Sequence, residues 1–307
     1  MKPEILKEEK LEGVAKETYT QGDLDLYQAW VKTNDRNLET NMGRKTLAEV
    51  FKKTETIVIA GIKLPASPIF DKDSNVEQIK AQIKENVEAL RVAGINAVVL
   101  DTTFDRPHPL VYRDLNSLEY YSELASFTKS LQKDIKVGIN MLLFDLPASL
   151  AVAKVAGIDF VFTDIFADPV FAPADESHRK DDSVFYPRPE LIPEYRKNIR
   201  SENILLFAGI ESKFFPKIGN RSFLDSAEIA KSCGVDVFLV ADYKNIEIKE
   251  LKEVGIPIFV MGGVKENDIQ NIVESGFDGF SAGSMFEKEP GKIDAIKTAE
   301  LTKKYNL

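Results

Sequence analysis

The sequence predicts an α/β protein, a single (β/α)8 TIM barrel with a short N-terminal extension. Two observations predict it. Eight short runs rich in β-branched residues recur from Thr56 onward. Helical patterns separate them, and a glycine closes several of these just before the next run. Each run is apolar almost throughout, as a parallel strand covered on both faces must be, and eight strand–helix units close a barrel of roughly 250 residues.

The runs are Thr56–Leu64, Asn96–Thr103, Lys136–Phe144, Phe160–Phe166, Ile204–Ser212, Val235–Tyr243, Pro257–Gly263 and Gly279–Ser284. Asn75 is a candidate N-cap for the first helix. Val76, Ile79, Ile83, Val87 and Leu90 form its apolar stripe, and Gly94 ends it. The same format recurs over 117–133, 147–157, 224–234, 248–255, 266–276 and 293–305. No G-x-G-x-x-G follows the first run, which argues against an open dinucleotide-binding sheet. Residues 1–41 read as a polar arm anchored by Tyr19, Leu24, Tyr27, Trp30 and Val31, packed on the outside or base of a barrel formed by 42–307. A second reading of the arm is a swap or homo-oligomer contact around Trp30. Arg44–Lys53 is expected to form a helix closing the N-terminal face.

Composition bounds the function. The formal net charge is −9 and no run of Lys and Arg interrupts it, which disfavours nucleic acid and anionic membranes as partners. Apolar runs such as Val98–Leu100 and Met141–Phe144 are too short to cross a bilayer. The opening MKPEILKEEK lacks the apolar stretch of a secretory signal, so the expected location is cytoplasmic. The single cysteine, Cys233, excludes an internal disulfide and a cysteine zinc site.

In a barrel, reacting groups project from the C-terminal ends of the strands. Lys63, Asp101, Asn140, Asp164, Glu211, Lys213 and Asp242 stand at such ends, in runs otherwise apolar. A buried charge is costly unless paired or used, so each residue alone could be a packing pair, whereas a ring at one mouth favours an active site. Gly262 and Gly263 tip the seventh run, and Gly283 and Ser284 the eighth. Glycines can simply make tight turns there, but loops after strands seven and eight are also the common phosphate site of these barrels. Two loops stand out, Phe104–Asp114 and the long Ala167–Pro189, the latter a candidate lid or binding loop, with a mobile surface loop as the alternative. The two histidines, His108 and His178, lie on them and read as solvated, with no metal-ligand spacing.

Together the strand ends, from about Thr56 to about Leu301, resemble the BtpA/SgcQ family. The segments that carry the resemblance are Ile62–Pro68, Ala97–His108, Val137–Asp145, Arg196, Lys213, the GGVKEND of Gly262–Asp268 and the AGS of Ala282–Ser284. Asp105, Gly138, Asn140 and Asp145 match the pattern, and the resemblance adds Asp105 to the catalytic candidates. Lys63, Thr102, Phe144, Asp164, Gly209 and Glu287 stand where the family commonly has His, Asn, Asn, Asn, Asp and Lys. The resemblance implies the barrel and a site at its mouth. The family name refers to photosystem I biogenesis, and other members sit in sugar-utilisation contexts.

Three functional readings follow. The first is an isomerase, epimerase or aldolase-type enzyme on a phosphorylated small molecule such as a sugar phosphate. Lys63 or Lys213 would stabilise an enolate, Asp101, Asp164 or Glu211 would move protons, and Gly262, Gly263, Gly283 and Ser284 would hold phosphate. The second is a non-catalytic assembly or stability factor of the photosystem I biogenesis type, with the barrel as scaffold. Neither needs a cofactor. A third option is Mg2+ on Asp101, Asp164, Glu211 and Asp242.

Overall fold

In the computed structural model, eight parallel strands close into a barrel, each within one of the eight runs. They are β1 Ile57–Lys63, β2 Ala97–Asp101, β3 Lys136–Asn140, β4 Phe160–Thr163, β5 Leu205–Glu211, β6 Val237–Val240, β7 Ile258–Val260 and β8 Gly279–Ala282. Spatial order follows chain order, and β8 pairs with β1 to close the ring. The structure describes residues 11, 13–35, 43–52, 56–141, 144–174, 181–211, 215–241, 243–245 and 248–307, without the side chains of Glu211 and Asn245.

A helix follows each strand: α1 Val76–Val92, α2 Leu115–Ser130, α3 Leu146–Ala156, α4 Ile192–Asn198, α5 Phe223–Ser232, α6 Ile248–Glu253, α7 Glu266–Glu274 and α8 Ala295–Tyr305. Asn75 caps α1 as expected, its side chain accepting from the N–H groups of Glu77 and Gln78. The sequence reading lacks α4. It is a short helix behind the turn Pro189–Leu191, with Pro193 in its own first turn, so no apolar period has room to develop.

Phe160, Phe162, Phe207 and Phe259 pack together inside the barrel, with Phe207 centred 5.2, 5.0 and 5.3 Å from the other three rings. These rings take the space of neighbouring side chains. A Cβ on Gly138 would lie 2.1 Å from the Phe160 ring, and one on Gly279 would lie 2.4 Å from Phe259. Below them the helix Leu47–Phe51, capped by Thr46, presses Phe51 against Phe160 and Phe207 and closes the base, as expected.

The N-terminal arm contains a helix, Gln21–Asn34, which packs on α3 and α4. Its polar composition hides it, although Leu24, Tyr27 and Val31 keep helical spacing and are buried. Trp30 is buried within its own chain at 7% exposure, so it is not the exposed aromatic from which the sequence reading of a contact starts. The arm also supplies a strand, Ala15–Glu17. It pairs in parallel with Ser183–Phe185, which pairs antiparallel with Val170–Ala172. Two segments of the loop after β4, which the sequence suggests is a lid or binding loop, thus join a small sheet completed by the arm. Residues 175–180, with His178, lie outside the described residues. Among the described residues, no helix is long and apolar enough to cross a membrane.

Candidate active site

Strand parity sets the site. Alternate residues of β1 face the same way, so the alternation of Ile57, Ile59 and Gly61 continues to Lys63 at the strand's end. Lys63 is register partner to Asp101, and Asp101 to Asn140. Asp164 follows the last residue of β4. All four side chains line a cavity of about 590 Å³ at the C-terminal mouth, together with Gly262, Gly263, Gly283 and Ser284. The structure thus brings the catalytic candidates of β1–β4 and both glycine tips to one space.

The charges there are unevenly matched. Lys63 Nζ lies 2.9 Å from Glu287 Oε2, whose other oxygen accepts from the Gly291 N–H at 3.3 Å. The Thr103 hydroxyl donates to Asp101 Oδ1. Burial nevertheless raises the Asp101 carboxyl above its ordinary range, against the pull of Thr103 and Lys63. Burial and the nearby Asp101 charge push Asp164 up to about 7, opposed weakly by Asn140 Nδ2 at 3.4 Å. The Asn140 side-chain oxygen is buried with no hydrogen-bond partner among the described residues.

Asp105 does not line the cavity. Its carboxylate accepts from the Ser67 N–H at 2.7 Å, tying the loop after β1 to the loop after β2, and burial pushes it up to about 6. The Glu211 side chain, Lys213 and Asp242 lie outside the described residues. Among the described residues, no group of three or more His, Cys, Asp or Glu is placed to hold a metal ion.

The tip of β7 has a backbone that glycine allows. Gly262 and Gly263 have φ of 78° and 74°, the left-handed region where a side chain is strained. Helix α7 begins three residues later with Glu266, and Asp268 is in its first turn. These acidic groups would repel an anion, but each is engaged by lysine. Lys304 Nζ is 2.8 Å from Glu266, and Lys244 Nζ is 2.9 Å from Asp268.

His108 lines the same cavity at 4% exposure, so the solvated reading fails for it. The signal was present in the sequence. His108 is held between Pro107 and Pro109, a stiffness that a freely solvated loop tip does not need. Phe215 and Pro173, from the loops after β5 and β4, also face the cavity.

The fold recurs in solved structures of low sequence identity. A protein from Aquifex aeolicus VF5 shares 14% identity across 86% of this chain and 98% of its own, with a TM-score of 0.53. The native structure of KDPGal shares 15% across 83% and 94%, with a TM-score of 0.50. KGPDC from Streptococcus mutans, in a complex with a ligand, shares 14% across 82% and 97%, with a TM-score of 0.50. No curated protein matches the chain in sequence. The BtpA family model matches residues 52–306, which include all eight barrel strands, and the chain belongs to the BtpA family.

Proposed function

We propose that this protein is an enzyme acting on a phosphorylated small molecule that carries a carbonyl group, by proton transfer at the carbon beside it. The observation that carries the reading is the content of the mouth cavity. A carboxyl pushed up to about 7 lies there with an ammonium group and two glycine-rich strand tips. A base whose pKa sits near neutrality is suited to taking and returning a proton.

In this mechanism the phosphate rests on the main chain around Gly262, Gly263, Gly283 and Ser284. Ionised Asp164 accepts the C–H proton. The electron pair moves onto the carbonyl oxygen, and the Lys63 ammonium stabilises the enolate oxygen. Asp101 keeps the affinity of Asp164 for protons high, and Asn140 orients it. Asp164 then returns the proton to the same carbon or, where that carbon bears a hydroxyl, to the former carbonyl carbon, the hydroxyl's proton passing to the enolate oxygen as the new carbonyl forms. Formation of this enolate is the step that isomerases, epimerases and aldolase-type enzymes have in common. That KGPDC from Streptococcus mutans, of the same fold, forms a complex with a ligand supports a barrel of this shape accommodating one.

Two measurements test it. Thermal shift against a panel of sugar phosphates should raise the melting temperature for at least one member. Deuterium exchange at the carbon beside its carbonyl, followed by NMR in D2O, should then be lost in Asp164→Asn with binding retained. Gly283→Asp tests the anion site. Its Cβ would meet no described atom closer than 3.5 Å, so the barrel should fold, but its carboxylate would occupy the anion position. Inorganic phosphate titrated by calorimetry should bind wild type and not this variant. Equal affinity would sink the phosphate assignment and leave the scaffold reading ahead.

A further inference from the structure

The N-terminal arm reaches the mouth cavity along two routes, one polar and one aromatic. The polar route starts at Tyr27, fully buried in the arm helix. Its hydroxyl lies 2.8 Å from Asp145 Oδ2 and also against the carbonyl oxygen of Tyr112. Asp145 Oδ2 accepts from the Tyr112 N–H at 2.6 Å, and Asp145 Oδ1 caps α3 through the Ala148 N–H at 3.0 Å. The Tyr112 hydroxyl is 3.2 Å from Thr102 Oγ1, next in sequence to Asp101. Arg113 Nε donates to Asp23 Oδ1 of the arm at 3.0 Å. Tyr112 and Arg113 end the loop that begins with Thr102 and carries Thr103 and His108 to the cavity.

The aromatic route starts at Tyr19. Its ring centre is 6.0 Å from Phe185, Phe185 is 4.9 Å from Phe144, and Phe144 is 4.9 Å from Phe215, which lines the cavity. Tyr19 Oη also accepts the Arg188 N–H at 3.1 Å. Phe185 lies in the strand that pairs with the arm. Phe144 is one of the positions that depart from the family resemblance, and its ring is the link between Phe185 and Phe215.

We propose that the N-terminal arm is part of the ligand site, with Tyr27 the positioning residue that holds the loop after β2 so that Thr103 and His108 face the mouth. The arm touches no reacting group itself. It acts through Asp145 and Tyr112. A phenol has one proton, and here it faces two acceptors. The hydroxyl can donate to Asp145 Oδ2 or to the Tyr112 carbonyl, so it bridges the N-terminal end of α3 and the loop after β2. Burial pushes Asp145 up to about 7, against the hydrogen bonds it accepts from Ala148, Tyr27 and Tyr112. The titratable and charged groups facing Asp145 are Tyr19, Asp23 and Tyr27 of the arm, Tyr112 of the loop and Tyr195 of α4, with Arg113 paired to Asp23. This inference is independent of the ligand's chemistry.

Tyr27→Phe in the full chain removes the hydroxyl and keeps the ring. Leaving a buried acceptor unmatched should open the loop locally, raising amide hydrogen exchange in residues 102–114 about tenfold. Exchange in β1–β8 should stay as in wild type. The chain has two histidines, so a His178→Ala background leaves one imidazole NMR signal. That His108 signal should move in Tyr27→Phe. Exchange unchanged everywhere, or raised equally in the barrel strands, would overturn the proposal. So would a loosened loop with an unmoved His108 signal, because the arm would then steady the loop without setting the site. Each readout needs no ligand, so failure of the phosphate reading and failure of this one are separable.

Discussion

Lys63 at the end of β1 and Glu287 beyond β8 form an ion pair, Nζ to Oε2 at 2.9 Å, with the lysine side chain 27% exposed and the glutamate 6%. In the resemblance, His and Lys commonly stand at these two places. Set beside that resemblance, the cation stands on the other side of the contact, so the two positions are expected to behave as one coupled pair. Glu287→Gln should cost about 1–2 kcal/mol, between the values for exposed and fully buried pairs. Glu287→Lys should cost more, since it sets two ammonium groups together. The double variant Lys63→His with Glu287→Lys should recover part of that loss. Urea denaturation of wild type, Lys63→His, Glu287→Lys and the double variant gives the coupling, and additive effects would show that the two positions do not act as a pair.

Gly209 stands where the resemblance commonly carries Asp, and here the backbone forbids it. A Cβ on Gly209 would lie 2.0 Å from the Asp164 carbonyl oxygen. That oxygen cannot yield without moving the end of β4 and, with it, the Asp164 carboxyl. Gly209→Ala should therefore cost about 3 kcal/mol or more, the upper range of overpacking. A thermal midpoint within about 2 °C of wild type would contradict this close approach.

The barrel was legible because parallel strands buried on both faces leave long apolar runs, and glycine stops mark the helix ends. The mouth was legible for a related reason. Lys63, Asp101, Asn140 and Asp164 are polar where an apolar run should continue, and register brings the first three into one row. The charge balance was not legible. Glu287 meets Lys63 only because β8 closes against β1, 224 residues away in sequence. Nor was the place of Asp105, whose partner is a backbone N–H on another loop. The arm helix and α4 were hidden by polar or proline-rich composition, and their burial depends on surfaces that exist only once the barrel has formed.

Asp145 and stability should be linked through pH. Its folded-state pKa is raised to about 7, so the folded protein holds the proton more tightly than the unfolded chain. That contribution is complete below the ordinary carboxyl range near pH 4. It is lost as pH rises through about 7, with a slope of at most about 1.4 kcal/mol per pH unit from this group. Asp145→Asn cannot titrate, and it replaces one of two oxygens that accept from Tyr112 and Ala148. It should be less stable than wild type at pH 5, by about 1–3 kcal/mol. The deficit should shrink toward pH 8. Denaturation midpoints at pH 5, 6.5 and 8 test this, and parallel profiles would mean that Asp145 does not take up a proton on folding.

Asp164 should show the opposite balance, although it too is pushed up to about 7. Asp145 is surrounded by donors, whereas Asp164 has the long contact to Asn140 at 3.4 Å and the neighbouring charge of Asp101. The sign is the same as before: its contribution is present at low pH and lost as pH rises through about 7. Little local hydrogen bonding would be sacrificed on replacement, however. Asp164→Asn keeps the shape and removes the buried charge. The variant should match wild type at pH 5 and exceed it at pH 8 by about 1–2 kcal/mol, a figure kept low because the carboxyl borders an open cavity. Proton transfer at the carbon beside the ligand carbonyl should vanish in the same protein. A residue retained at a cost to stability and required for the reaction is what a functional site demands. If Asp164→Asn proves less stable than wild type at pH 8, then Asp164 has a structural partner in the folded protein, and its assignment as the base fails with that result.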